Sequence, residues 1–244
     1  MSPRRTLATA GRVLRQIRHD PRSIALMVVA PSLLVGLFSW LFSEQDGVFQ
    51  QLGPAILALF PFIIMFLITS ITTLRERRSG TLERLMTTPL AKGDFIVGYA
   101  LAFAVAAIVQ AVVTVAFAVL VCGLAVDGPL WQLGLVAVVD ALLGTALGLL
   151  ASAFARTEFQ AVQFMPVLVF PQVLLGGVLM PRDQMPEALR AISDWLPLSY
   201  AIDAINAVTA AESGWDLWGP VLVIAAFAIG ALVLGSLTLR RRTA

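Results

Sequence analysis

Six apolar runs alternate with short polar segments along this chain, at residues 24–42, 55–74, 95–124, 130–154, 162–180 and 218–239. A helix needs roughly 20 consecutive apolar residues to cross the hydrocarbon core of a bilayer. The pattern therefore predicts six spanning helices. The run at 95–124 is long enough to tilt or to project beyond the bilayer. The run at 24–42 is too long for a signal-peptide core and no A-x-A-like site follows it, so it is read as a retained span. Residues 4–22 carry a different period. At about 100° per residue, Leu7, Ala10, Val13, Leu14 and Ile17 share one arc, and Arg4, Arg5, Arg12, Arg15, Arg18 and Arg22 the opposite one. This is a basic amphipathic helix, expected to lie in the membrane interface. It serves either as a topology anchor or as a lateral helix that also touches a cytoplasmic partner.

Two of the polar segments are more than connectors. Residues 75–94 are highly charged and punctuated by Gly80 and Pro89. Ser79 or Thr81 can cap a short helix over 82–87, which Pro89 stops. Such a helix is marginal alone. Its Leu82, Leu85 and Met86 form an apolar face, while Glu83 and Arg84 point elsewhere. That suits a docking knob for another protein, or an ordinary charged loop that fixes topology. Residues 183–209 predict a hairpin of two short helices. Met185, Leu189, Ile192, Trp195 and Leu196 recur at helical spacing, with Asp183 as candidate cap and Pro186 in the first turn. Pro197 breaks this helix, and a second begins near Ser199, carrying Ile202, Ile205 and Val208. A hairpin of this kind is re-entrant or lies on the surface, tolerated where it packs on protein. Trp215 and Trp218 mark the outer interface.

Charge sets the orientation. Before the first span lie six arginines. Arg75, Arg77, Arg78, Arg84 and Lys92 follow the second span, Arg156 the fourth and Arg240, Arg241 and Arg242 the sixth. Only Arg182 and Arg190 fall on the other side, against nine acids there. The positive-inside rule places both termini in the cytoplasm, which six spans allow. Composition adds exclusions. The chain has 244 residues, 59% apolar and 13% charged, with mean hydropathy +0.88. Soluble domains are about 45–50% apolar and about 25% charged, so a water-soluble enzyme does not fit. One Cys, one His and one Lys are too few for a zinc site, a disulfide framework or a Cys/His dyad. The only Lys, Lys92, lies between Ala91 and Gly93, so no Walker A motif is present.

A few polar residues fall inside the spans. Asp140 and Gln110 lie at similar depth on consecutive antiparallel runs, so they are expected to share a hydrogen bond unless Asp140 is protonated. A mid-bilayer charged Asp costs at least ~2.5–3.5 kcal/mol and must face protein or water. It is either packing glue or part of a substrate or proton path. Phe62, Met65, Phe66 and Thr69 form a helical stripe on the second span, which serves packing or an apolar pathway. The fifth span carries Pro166 and Pro171, which bend a helix. Its Gln163, Phe170 and Gln172 join the second-span stripe as candidate path residues.

Two strings support a family name. Glu76-Arg-x-x-Gly-Thr-Leu-Glu-Arg-Leu-x-x-Thr-Pro89 resembles the cytoplasmic loop of ABC-2 type permeases, the membrane subunits of bacterial ABC exporters of the daunorubicin-resistance kind. Gly176-Gly-x-x-x-Pro181, Met185-Pro186 and Leu196-Pro-Leu-Ser-Tyr-Ala-Ile-Asp-Ala204 resemble that family's outer segment. Ser199 replaces the family's usual Thr, and Asn206 stands where many relatives carry Arg. The resemblance covers essentially the whole chain. It implies an all-α membrane domain over 1–244 that pairs with a second copy or a related permease. It implies two copies of an ABC ATPase below, which would bind the ATP and Mg, with no cofactor in this chain. Glu76, Gly80, Thr81, Leu82, Glu83, Leu85, Met86 and Pro89 would couple to that ATPase. The outer hairpin, with Trp195, Pro197, Tyr200 and Asp203, would gate the exit. The expected activity is export of a hydrophobic drug or lipid-like substrate across a bacterial plasma membrane. Competing expectations are an exporter of glycolipid or polysaccharide, and a non-transporting scaffold or sensor that docks an ATPase. A membrane enzyme lacks paired catalytic groups, and nothing in the pattern asks for nucleic acid.

Overall fold

A computed structural model describes residues 2–78 and 92–238. Among these residues the secondary structure is helical, with no strand. Helix α1, Pro3–Arg18, begins on a proline whose missing N–H would be unpaired there anyway. It stops four residues short of the expected end because Asp20 begins the next helix. Its carboxylate accepts from the Ser23 N–H, and Pro21 occupies the first turn of α2, Pro21–Leu41. Then follow α3, Val48–Arg78, α4, Lys92–Leu120, and α5, Leu130–Phe154. Helix α6, Glu158–Leu175, starts earlier than the apolar run because Thr157 caps it through the Gln160 N–H. It ends earlier because Gly176 and Gly177 follow, the latter at φ +95°. A 3-10 turn, Arg182–Gln184, leads to α7, Glu187–Ser193, α8, Pro197–Thr209, and α9, Trp215–Thr238.

Helices α2, α3, α4, α5, α6 and α9 are each long and apolar enough to cross a membrane. The centre of the packing is α3 against α5. A Cβ at Gly144 would stand 2.4 Å from the Phe62 carbonyl oxygen, and one at Gly148 2.5 Å from that of Phe66. Two backbones this close need small residues at the seam, the usual solution where helices pack in lipid. The outward faces are apolar. Leu101, Val105, Ile108 and Val112 run along α4, and Leu26, Val29, Leu33 and Leu37 along α2, all at least 41% exposed. Exposed apolar stripes of this length on α2 and α4 belong to a chain solvated by lipid.

The hairpin at 183–209 is only half on the surface. Helix α7 is exposed, with Leu189, Ile192 and Trp195 bare. Helix α8 is buried nearly all round by α3, α5 and α9, and Leu198, Ala201, Ile202, Ala204, Ile205 and Val208 sit in the main core. The loop before α5 docks on its end. The N–H groups of Asp127 and Gly128 donate to Thr209 O (3.0 Å) and Val208 O (3.1 Å), and a Cβ at Gly128 would lie 2.2 Å from that second oxygen. Asp183 lies inside the 3-10 turn and caps nothing. Pro186 is the residue ahead of α7, and Pro197, not Ser199, opens α8.

Candidate functional site: the loop stems and their brace

The residues expected to couple to an ATPase, Gly80, Thr81, Leu82, Glu83, Leu85, Met86 and Pro89, lie outside the described residues. What is described is how the chain enters and leaves that loop. Glu76, in the last turn of α3, is 5% exposed. Arg12 of α1 grips it with both prongs, Nη1 to Oε1 at 3.2 Å and Nη2 to Oε2 at 3.0 Å. The same Nη2 donates to the Tyr99 hydroxyl at 2.8 Å, and the guanidinium lies 5.8 Å from the Tyr99 ring centre. Phe95 packs on Tyr99 with ring centres 4.3 Å apart. On the other stem Asp94, in the first turn of α4, is 1% exposed. It accepts from the Ser2 backbone N–H (2.9 Å) and the Thr6 hydroxyl (3.1 Å). One helix therefore holds both ends of the loop. Bidentate, charge-assisted bonds to a nearly buried carboxylate fix geometry as well as energy.

Two sequence expectations change here. Arg12 does not belong to the solvated arc. The packed face of α1 is turned toward Thr6, Thr9, Ala10 and Val13, leaving Leu7 65% exposed. The cause is local. Gly98 has no side chain, so Thr9 comes within 2.7 Å of where its Cβ would be, and Asp94 draws the Thr6 hydroxyl inward. Glu76 is likewise not a surface contact, since its carboxylate is taken up inside the chain. Sequence reasoning singles out neither Asp94 nor Tyr99 and gives Arg12 no partner. The signal available was an Asp in a first helical turn beside a charged loop.

A weaker tie reaches α6. Arg75 meets Glu158 with two bonds, at 2.8 and 3.0 Å, both partners well exposed. Such a pair contributes about 0–1 kcal/mol. Arg77 has its Nε and Nη2 buried with no hydrogen-bond partner among the described residues. Thr69, Ser70 and Thr73 are fully buried and also unpartnered. Thr145, by contrast, bonds back to the Ala141 carbonyl in the ordinary way of a helical hydroxyl.

At the opposite, acidic end a second knot forms. Arg182 makes ion pairs with both Asp194 and Asp203, and its guanidinium lies 5.2 Å from the Tyr200 ring centre. Burial pushes the Asp203 carboxyl above the usual carboxylate range, against the pull of Arg182. The Tyr200 hydroxyl donates to Asp194 O at 2.9 Å. Ser193 donates to Leu175 O at 2.7 Å, and the Leu198 N–H donates to Gln172 Oε1 at 3.1 Å, which ties α6 to the hairpin. Trp195 is 79% exposed and Pro197 is buried. Arg182→Ala should leave two carboxylates facing each other and loosen this knot by about 1–2 kcal/mol. Faster limited proteolysis within 182–196 would report it.

The remaining predicted residues do not converge. Phe62, Met65, Phe66 and Thr69 are at most 1% exposed. The stripe is packing, pressed by Phe62 and Phe66 onto the glycines of α5. Phe170 is exposed on α6, as is Gln163, and Gln172 is tied as above. Asp140 and Gln110 are fully buried, yet among the described residues the expected bond between them is absent and neither side chain has a hydrogen-bond partner. Counting residues gives depth along a helix but not the facing of a side chain, and these two do not meet.

The ABC-2 type transporter family profile matches residues 4–209, from the first turn of α1 to the end of α8. The chain belongs to the ABC-2 type transporter family. It is a multi-pass membrane protein of that family, and the match takes in both stems, the brace and the outer knot. Among similar proteins is the probable multidrug ABC transporter permease YbhR of Escherichia coli K12. It is 28% identical over 178 residues, 71% of this chain and 48% of YbhR. The linearmycin resistance permease protein LnrN of Bacillus subtilis is 25% identical over 69% of this chain and 44% of its own length. ABC transporter G family member 20 of Dictyostelium discoideum is 25% identical over 78% of this chain and 27% of its length. The chain thus spans less than half the length of these relatives.

Proposed function

We propose that this chain is the permease subunit of an ATP-driven exporter, energised by two copies of a separate ATPase subunit that bind the ATP and Mg. The observation that carries the reading is the brace. A loop bearing Gly80, Thr81, Leu82, Glu83, Leu85, Met86 and Pro89 is suspended between two buried carboxylates, and α1 holds both. A partner pushing on the loop would load α3 through Glu76 and α4 through Asp94. Because Arg12 and Thr6 sit on one helix, the stems would move together rather than splay. Helix α3 would carry the motion to α5 through their glycine seam.

The path would form against a second copy of the chain or a related permease. Helix α6 suits that role. Its two prolines, Pro166 and Pro171, and its exposed Gln163 and Phe170 leave it the least committed long helix after its anchors at Arg75 and Gln172. The substrate we favour is a hydrophobic drug or lipid-like molecule taken from the cytoplasm or inner leaflet. The apolar outward faces and the names of YbhR and LnrN support that class. Trp195, Pro197, Tyr200 and Asp203, gathered around Arg182, would form the outer gate. The basic end, with α1 and Arg75 to Arg78, would face the cytoplasm of a bacterial plasma membrane, with both termini on that side.

The test is affinity purification of the tagged chain from native membranes beside a Glu83→Arg, Leu85→Asp double variant. A P-loop ATPase should accompany the wild type and be lost from the variant. A folded variant that keeps the ATPase would remove the loop as the dock.

A further inference from the structure

The corner between α1 and α2 encloses a cavity of about 80 Å³ that neither the loop stems nor the outer knot uses. Its polar wall carries Asp20, Ser23, Thr72 and Arg75, and its apolar wall includes Met27 and Phe103. Asp20 and Arg75 feel each other's charge, yet no ion pair joins them among the described residues. Asp20 spends one bond per oxygen on Ser23, at 3.2 and 2.6 Å, and each oxygen retains acceptor capacity. Arg75 gives Nε and Nη2 to Glu158, leaving Nη1 for a further acceptor. A separated carboxylate and guanidinium over an apolar wall complement a ligand that carries a cation and an anion a few atoms apart, with a hydrocarbon tail. About 80 Å³ is the room of roughly three waters at ~30 Å³ each, enough for the ammonium and its first neighbouring atoms, with the rest of the headgroup leaving through the open side of the cavity.

We propose that this corner binds the headgroup of a zwitterionic phospholipid with a primary ammonium, of the phosphatidylethanolamine type. The ammonium N–H groups donate to Asp20. The phosphate accepts from Arg75 Nη1 and the Thr72 hydroxyl, and the first methylenes lie against Met27 and Phe103. Helix α1 is amphipathic and turns into the spanning α2 at this point, which sets the corner at headgroup depth. Only the choice of leaflet rests on the topology proposed above. Choline headgroups lack the N–H donors that Asp20 needs, and glycerol headgroups bring no cation to it.

The experiment is native mass spectrometry of the full chain from detergent, loaded with an equimolar mixture of phosphatidylethanolamine, phosphatidylglycerol and phosphatidylcholine. Wild type should retain the ethanolamine lipid roughly fivefold over the other two, the scale of one charge-assisted contact. Asp20→Asn and Asp20→Ser both keep the helix cap, so both should fold and lose that preference. Arg75→Gln should lower retention of all three lipids together, since each carries the phosphate. Equal retention of the three lipids by wild type would overturn the proposal, as would a preference that survives both Asp20 variants. Displacement of the bound lipid by equimolar soluble phosphoethanolamine would overturn the lipid assignment in favour of a free zwitterion. None of these readouts involves an ATPase or transport, so they stand or fall apart from the exporter reading.

Discussion

Replacing Arg12 by Ala should destabilise the chain by about 2–4 kcal/mol, measured as thermal unfolding in detergent. The reason is asymmetric. Glu76 is only 6% exposed at its side chain, so the two bonds lost with Arg12 come from a carboxylate that water barely reaches and does not replace. Arg12 is 31% exposed, which places the expected cost below that of a fully buried pair. The Tyr99 hydroxyl loses its donor at the same time. An Arg12→Met, Glu76→Leu double variant should recover part of the loss, because it removes the buried carboxylate together with the bonds it has lost. Arg75→Ala, which breaks the exposed pair with Glu158, should change stability by less than about 1 kcal/mol. If Arg12→Ala behaves like Arg75→Ala, the brace contributes nothing and the loop stems are held by packing alone. In an assembled transporter the rescued double variant separates the two roles of the pair. Stability should return, while substrate-stimulated ATP hydrolysis should stay low if the grip between α1 and α3 transmits force.

The second large effect is steric. A methyl group at Gly144 would sit 2.4 Å from a backbone oxygen, and one at Gly148 2.5 Å from another. Backbone cannot rotate away as a side-chain tip does, so α3 and α5 must move apart. Overpacking of this kind costs about 1–3 kcal/mol per site, and the two sites share one seam, so their costs should not simply add. Gly134 in the same helix supplies the control, with nothing within 4 Å of its position. Gly134→Ala should be neutral or mildly stabilising, since it removes the flexibility of glycine from a helix. Equal stability of Gly144→Ala and Gly134→Ala would mean that the close approach of α3 and α5 is wrong.

The architecture was legible because lipid leaves a helix few alternatives. Six apolar runs became six long helices, and the departures at the start of α2 and at both ends of α6 trace to capping by Asp20 and Thr157 and to Gly176. The interior polar residues were harder. Periodicity placed Arg12 on the basic arc of α1 but could not say which residues would pack, because that depends on Gly98 and Asp94 one helix away. Asp140 and Gln110 could be matched in depth but not in facing. The stripe of Phe62 and Phe66 reads the same whether it meets a ligand or a glycine seam. Helix α8 read as part of a re-entrant or surface hairpin because it is short and Pro197 separates it from α7. Only the way α3, α5 and α9 close around it makes it core.

The contact between α3 and α5 also governs the order of events during synthesis. Phe62 and its partner Gly144 are 82 residues apart, with the whole of α4 between them. At about 5–20 residues per second the wait for that partner is roughly 4–16 s. Through that interval the buried hydroxyls of Thr69, Ser70 and Thr73 lack the neighbours that enclose them in the finished chain. The insertion machinery or an early contact with α1 must therefore shelter α3 until the fourth span arrives, and a nascent chain arrested before Gly144 would be the natural target for membrane proteases.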